Sequence, residues 1–369
     1  MKAAVLRELG KDMAIEDVKL DDPKDREVLL RITAAGICHS DLSVARGKGS
    51  VPLPVILGHE ASAVVERVGP GVSRVKKGDP VVLSWTPFCG GCFYCRRGLP
   101  AQCEVYTRAS GQGALFDGTS RLKTAKGERI NHFTCQSSYA EYAVMPETGC
   151  LPYDKAIPAT IAALVGCAVT TGYGAVVNDA KTRPGDSVAI WGVGGVGISA
   201  LMAAKLCGAE KIIVVDPNPK KEAVARRFGA THYINPKETN DVGEAIRALT
   251  KGRGADATLD CIGRTVAFDQ AFQSTRPAGT VVVVGQAPKG DVFTIPAARS
   301  FPTYQKRIVG SYYGGGVPED DFVRILDLYQ SRQLDLDALV GKTIPLEGVN
   351  DAFRLLESGY DTRQVITFN

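Results

Sequence analysis

Four cysteines fall within fifteen positions, Cys89-x2-Cys92-x2-Cys95-x7-Cys103, in a chain of 369 residues that holds ten cysteines. Thiols so placed could be redox groups, disulfide partners or metal ligands. The chain reads as cytoplasmic, where thiols stay reduced, and that favours metal over disulfides. Four thiolates from one loop fill every position of a tetrahedral zinc ion, and a closed site of that kind is structural. A second set is dispersed: Cys38 in "GICHSD", His59 in "LGHE" and Cys167 in "LVGCAVTTGYG". Two thiolates and an imidazole leave a zinc ion one place for water or substrate, so these residues could polarise an alcohol oxygen.

A third pattern, Gly192-x-Gly194-x-x-Gly197 in "WGVGGVGISA", lets the backbone approach a pyrophosphate at a helix N-terminus. Gly195 and Val196 lie inside the same turn. Asp216 ends the next apolar run, "KIIVVD", about twenty residues on, where a carboxylate accepts from ribose hydroxyls and repels a 2′-phosphate. Dinucleotide binding with NAD preferred over NADP is the expectation.

These residues need elements to hold them. Residues 1 to about 150 alternate in short β-branched runs broken by Gly and Pro, such as "EVLLRITAAGI" and "ASAVVERVG", which predicts an irregular all-β region. From about residue 185 the rhythm becomes strand, glycine-rich turn, helix. Five such steps, ending at "GTVVVVG", predict a doubly wound parallel sheet. After "GSYYGGG" two helical stretches and a strand, "QVITF", are expected to return to the first domain.

With 44% hydrophobic and 23% charged residues, the chain can bury real cores. The net charge of +4 is spread in doublets such as Lys76-Lys77 and Arg226-Arg227, which argues against a nucleic-acid partner. No run approaches the roughly 20 apolar residues of a membrane span, and the N-terminus carries charges where a signal peptide needs an apolar stretch. A cytoplasmic location without a membrane partner follows.

The whole chain resembles the zinc-dependent medium-chain alcohol dehydrogenases. The likeness rests on "GICHSD", "GHE", "CGGCFYCRRGLPAQC", "GCAVTTGYGAVVNDAKTRPGD", "GVGGVG" and "TRQVITF", in family order and spacing. It implies an α/β chain with a GroES-like β-rich catalytic domain over residues 1–168, a Rossmann coenzyme domain over 169–309 and a return to the catalytic domain over 310–369. It implies two zinc ions and NAD, and an assembly of two or four copies. Asp41 would orient His59, Glu60 would sit behind the metal, and Ser40 would receive the alcohol proton. His39 and Arg363 would contact the pyrophosphate, Lys221 the adenosine ribose, and Thr171 the nicotinamide. Trp85 and Phe133 would line the substrate channel, favouring an apolar primary or aromatic alcohol over a charged one.

The chain departs from the family at Ser43, where many relatives carry a relay histidine; a serine has no pKa near 7, so the proton must leave by another route. The "DGTSR" stretch at Asp117 to Arg121 is shared with glutathione-dependent formaldehyde dehydrogenases, but the basic "LSVARGKGSVPLP" lacks the acidic residues those enzymes use. The other readings are a nicotinoprotein with permanently bound NAD and an external acceptor, and a non-catalytic protein binding zinc and NAD. The remaining Cys135, Cys150, Cys207 and Cys261 read as packing residues, and His132 and His232 have no motif around them.

Overall fold

The strand-forming N-terminal third folds around one long central strand. In this computed structural model, which describes residues 1–369 except 50, 289, 296–300, 360–362 and 369, that strand is β3 (Glu27–Gly36). Val28, Leu30, Ile32 and Ala34 are fully buried on one face, while Leu29, Arg31 and Thr33 on the other are half-buried. That is the period of two of a strand with one core face. Each such aliphatic side chain contributes roughly 1.5–3 kcal/mol on burial.

The chain divides into two compact units. The first comprises Met1–Ala168, Val317–Gln330 and Leu336–Asn369. Among its described residues, β1 (Lys2–Leu6), β2 (Ala14–Leu20), β4 (Val55–Ile56), β7 (Leu122–Thr124) and β8 (Arg129–His132) close a small barrel in the order β1-β2-β7-β8-β4. A second sheet joins β3 to β5 (Ala61–Val68), β6 (Pro80–Leu83), β9 (Tyr142–Pro146) and β10 (Cys150–Pro152). Two late strands, β17 (Val340–Ile344) and β18 (Arg363–Thr367), complete it, with β18 antiparallel to β3. This β-rich unit is therefore built from both ends of the chain.

The second unit comprises Val169–Gly316 and Ser331–Asp335. Its sheet contains β11 (Ser187–Trp191), β12 (Lys211–Val215), β13 (His232–Ile234), β14 (Ala255–Asp260), β15 (Thr275–Val283) and β16 (Arg307–Gly310). All neighbours are parallel, in the order β13-β12-β11-β14-β15-β16, the doubly wound arrangement. β11 is buried along its whole length, as a strand covered on both faces must be.

The return to the first unit, expected at residue 310, comes at Val317. β16 is a sixth parallel strand rather than part of the joint. The residues after it stay with the second unit, through Ser311 N–H to Val283 O of β15 at 2.8 Å and Asn178 Nδ2–H to Gly314 O at 3.0 Å. The helical run Ala159–Asp179 is long and apolar enough to cross a membrane, but 83% of its apolar window is buried inside the protein, as in a core helix.

Candidate active site

Cys38, His59 and Cys167 arrive from three different pieces of the first unit. Cys38 precedes the helix His39–Ala45, His59 sits in the loop between β4 and β5, and Cys167 lies in a π-helical segment, Val165–Val169. Wide turns of this kind recur at functional sites because they re-aim one side chain without ending the helix. The three ligand atoms lie within 4.8 Å of one another, and all three residues are buried. Cys167 Sγ is 3.3 Å from His59 Nε2, close to the edge of about 3.5 Å between sulfur and nitrogen on a zinc tetrahedron.

The loop can approach because residue 58 is glycine. Its φ is +93°, and a Cβ there would meet Tyr139 N at 2.6 Å. Asp41, fully buried, accepts three hydrogen bonds: from Gly58 N–H at 2.9 Å, His59 Nδ1–H at 3.0 Å and Tyr139 O–H at 3.0 Å. With the proton held on Nδ1, the Nε2 lone pair faces the two thiols. Tyr139 was not anticipated; no spacing or motif in "SSYAEY" marks it, and only the fold brings its hydroxyl to Asp41.

Glu60 lies behind the triad and is fully buried. Its Oε2 accepts from Arg363 Nη2 at 2.5 Å and Ala168 N–H at 3.1 Å, and its Oε1 has no partner. Arg363, expected at a pyrophosphate, thus spends one nitrogen on Glu60 while its Nε is unpaired. The hydrogen bond from Cys167, aided by His59 and Arg363, holds the Cys38 thiol well below its ordinary range, and the same bond plus burial pushes Cys167 up. A buried thiolate beside an imidazole lone pair is a donor set that suits a divalent cation. Among the described residues no fourth Cys, His, Asp or Glu joins this group.

Trp85 and Phe133, both half-buried, meet the His59 ring edge to face, with centroids at 6.1 and 5.6 Å. His39 and Ser40 open the neighbouring helix and are exposed, and Ser43 lies one turn on. Trp85 and Phe133 therefore stand beside the Cys38, His59 and Cys167 group.

The four loop cysteines also converge, with ligand atoms within 4.8 Å of one another. Cys92 Sγ lies 3.4 Å from Cys95 Sγ and 4.0 Å from Cys103 Sγ, bracketing the edge of about 3.8 Å in a zinc–thiolate tetrahedron. All ten cysteines are free thiols. The Cys95 N–H lowers Cys92 to about 6, and burial first, then the Cys92 hydrogen bond, pushes Cys95 up to about 12. Neighbouring thiols split in this way where a cation would let all ionise.

In the second unit Gly192 follows β11 with φ +95°, and the helix Gly195–Leu206 begins with no side-chain cap, so its first N–H groups are free for an anion. A Cβ on Gly197 would sit 1.9 Å from Gly192 O. Thr171 precedes Gly172, whose Cβ would lie 2.2 Å from Val196 O. Asp216 accepts from Val193 N–H and Asn218 N–H, each at 2.9 Å, and Lys221 Nζ lies 3.7 Å from its Oδ2. The glycine turn and the ribose-side carboxylate are thus one hydrogen-bonded piece.

Family models agree with this architecture: an alcohol dehydrogenase GroES-like domain matches residues 24–155 and a zinc-binding dehydrogenase domain matches residues 195–331. An alcohol dehydrogenase zinc-binding domain protein from Burkholderia ambifaria is 37% identical over 100% of this chain and 98% of its own, with a TM-score of 0.95. The chain belongs to the zinc-binding medium-chain alcohol dehydrogenases. Benzyl alcohol dehydrogenase from Acinetobacter calcoaceticus is 34% identical over 100% and 99% of the two chains, with a TM-score of 0.94. Alcohol dehydrogenase from Thermus sp. ATN1 is 28% identical, covers both chains fully and has a TM-score of 0.84. Membership makes the chain an alcohol dehydrogenase-type oxidoreductase of a zinc-binding family.

Proposed function

We propose that the protein interconverts a primary, apolar or aromatic alcohol and its aldehyde with NAD. It would hold one zinc ion at Cys38, His59 and Cys167 and a second, structural one at Cys89, Cys92, Cys95 and Cys103. The observation that supports this is the buried Cys38, His59 and Cys167 group, joined among the described residues by no fourth Cys, His, Asp or Glu and flanked by Trp85 and Phe133. When bound, zinc supplies Lewis acidity that lowers an alcohol's pKa, and oxidised nicotinamide supplies a hydride acceptor.

The chain's own residues do the rest. Asp41 fixes the His59 tautomer, and the two aromatic rings exclude water and hold an apolar carbinol. Ser40 Oγ receives the alcohol proton and passes it to water, since Ser43 cannot hold it as an imidazole would. The first N–H groups of the helix Gly195–Leu206 bind pyrophosphate, with His39 and Arg363 proposed as further contacts. Asp216 selects a 2′-hydroxyl over a 2′-phosphate, Lys221 lies at the adenosine ribose, and Thr171 at the nicotinamide. Glu60, held by Arg363, stands where it can influence ligand exchange. The reduced thiols fit a cytoplasmic enzyme, assembled as two or four copies.

The test is a screen of benzyl and short aliphatic alcohols against NAD and NADP, with zinc per chain measured on the same sample. Turnover of benzyl alcohol with NAD and two zinc ions per chain is the expected result. One zinc per chain and no turnover would sink the reading. Near-stoichiometric NAD(H) after gel filtration, with turnover only on adding an artificial acceptor, would replace it by the nicotinoprotein.

A further inference from the structure

Residues 133–138 of the first unit lie between β8 and β9 and contain no glycine, yet three of them have left-handed backbone: Thr134 at φ +51°, Cys135 at φ +56° and Ser137 at φ +62°. A residue with a Cβ is uncommon there, and a branched one such as threonine is an outlier. A turn that did no more than reverse the chain would take Gly, Asn or Asp at such positions. Strained backbone persists where its surroundings over-determine it, and it collects at functional sites. Cys135, Gln136, Ser137 and Ser138 are all buried.

What this segment holds is the backbone of Phe133. The Phe133 N–H donates to Ser137 Oγ at 2.9 Å, and the Phe133 carbonyl accepts from Ser137 N–H at 3.1 Å, Gln136 N–H at 2.9 Å and Thr134 Oγ1–H at 2.8 Å. Ser137 thus grips both polar groups of Phe133. The next two residues tie the segment to the loop that carries His59, with Ser138 N–H donating to Gly58 O and Tyr139 N–H to Leu57 O, each at 3.0 Å. Backbone conformation decides which rotamers a side chain can adopt, so a clamp on both sides of the Phe133 Cα fixes where its ring points. That ring stands edge to face with the His59 ring, centroids 5.6 Å apart.

We propose that Ser137 is a specificity-determining positioning residue: its hydroxyl oxygen holds the Phe133 amide and so makes the Phe133 ring a fixed wall for the ring of an aromatic alcohol. The inference rests on the alcohol–aldehyde reading above and adds the device that keeps the wall still. A wall clamped beforehand loses little freedom when substrate packs on it, whereas a loose one must be ordered at each binding event. The packing is the same before and during hydride transfer, so loosening it raises KM and leaves kcat in place.

Ser137→Gly tests this, because glycine adopts φ +62° without strain and the substitution removes the hydroxyl while keeping the turn. The KM for benzyl alcohol is expected to rise at least fivefold with kcat within twofold of the native value. In a Phe133→Ala background the same change should leave KM where it is, because Ser137 acts through that ring. Hydrogen exchange, read by mass spectrometry on the zinc-loaded protein without substrate, should find the Phe133 amide slow in the native protein and at least tenfold faster in Ser137→Gly. An unchanged KM in Ser137→Gly, or an equal rise in both backgrounds, would overturn the proposal. So would rapid exchange of the Phe133 amide in the native protein, a measurement that decides the matter even if the variant fails to fold. The two readings fail differently: a fast amide with benzyl alcohol turnover intact sinks this inference alone, while a slow amide without turnover sinks the reading on which it rests.

Discussion

Tyr139 shows what one hydroxyl does at the centre of the site. It is fully buried and donates to Asp41, which in turn holds His59. Tyr139→Phe leaves a buried carboxylate short of one donor, a cost of about 1–3 kcal/mol. The unfolding free energy from urea titration should fall by that amount, and zinc should be lost from the three-ligand site to a weaker chelator than the native protein requires. His132 makes a second residue-scale prediction. Burial, then Arg121 and Arg129, press it down to about 3 against an opposing pull from Asp117, and its Nε2 accepts the Arg121 N–H at 3.2 Å. Its folded pKa is depressed below the unfolded value near 6.5, so the unfolded chain binds the extra proton first. Stability present above pH 6.5 is therefore lost as pH falls toward 3, by up to about 1.4 kcal/mol per pH unit. Denaturant titrations at pH 7, 5.5 and 4.5 should show a shallower decline for His132→Gln than for the native protein. The two Cys and His groups that converge were legible because cysteine and histidine are rare and the chemistry of a metal site constrains their spacing. Tyr139 was not, since its role exists only across 98 residues of chain.

At the scale of elements, the glycine turn works through close approach. β11 delivers Gly192 in a left-handed conformation, and the following helix can start only if Gly197 lies against the Gly192 carbonyl. Gly197→Ala places a methyl group 1.9 Å from that oxygen, so the helix N-terminus must move away from β11. Fluorescence titration with NADH should show at least tenfold weaker binding, whereas the metal content of the first unit should be unchanged. Periodicity gave the first five β/α steps because short strand-like runs such as "SVAIW" and "KIIVV" alternate with helical stretches such as "PKKEAVARRFGA" and "DVGEAIRALTKG". β16 escaped notice because Arg307–Gly310 is only four residues long and half-exposed, and nothing helical in the sequence leads into it. Likewise the π-helical turn at Cys167 has no signature in composition; it follows from the need to point one sulfur at His59.

At the scale of the molecule, the two proposed metal sites differ in exposure, and this orders their loss. Cys89 is exposed and Cys92 and Cys95 are half-buried, whereas Cys38, His59 and Cys167 are all buried. A mercurial titrant should reach the four-cysteine loop first, modifying four thiols as the first zinc ion appears in solution. That loop has its own small core: Cys103, Tyr106, Ala109, Leu115, Cys135 and Val144, with Trp85 and Phe88 packed against it. Trp85 also forms one wall beside His59. Releasing the first zinc should therefore loosen the substrate wall before it touches the three-ligand site. Steady-state kinetics on the partly titrated enzyme should show the KM for an aromatic alcohol rising severalfold with kcat nearly unchanged. Activity should vanish only with the second zinc, and a dye assay of released metal run beside the kinetics checks the order; simultaneous loss of both ions would mean that burial does not govern access. The same packing explains why the domain plan was only partly readable. The cysteine loop announces itself by spacing, but its attachment to the substrate wall depends on residues scattered from 85 to 144, which no local pattern connects.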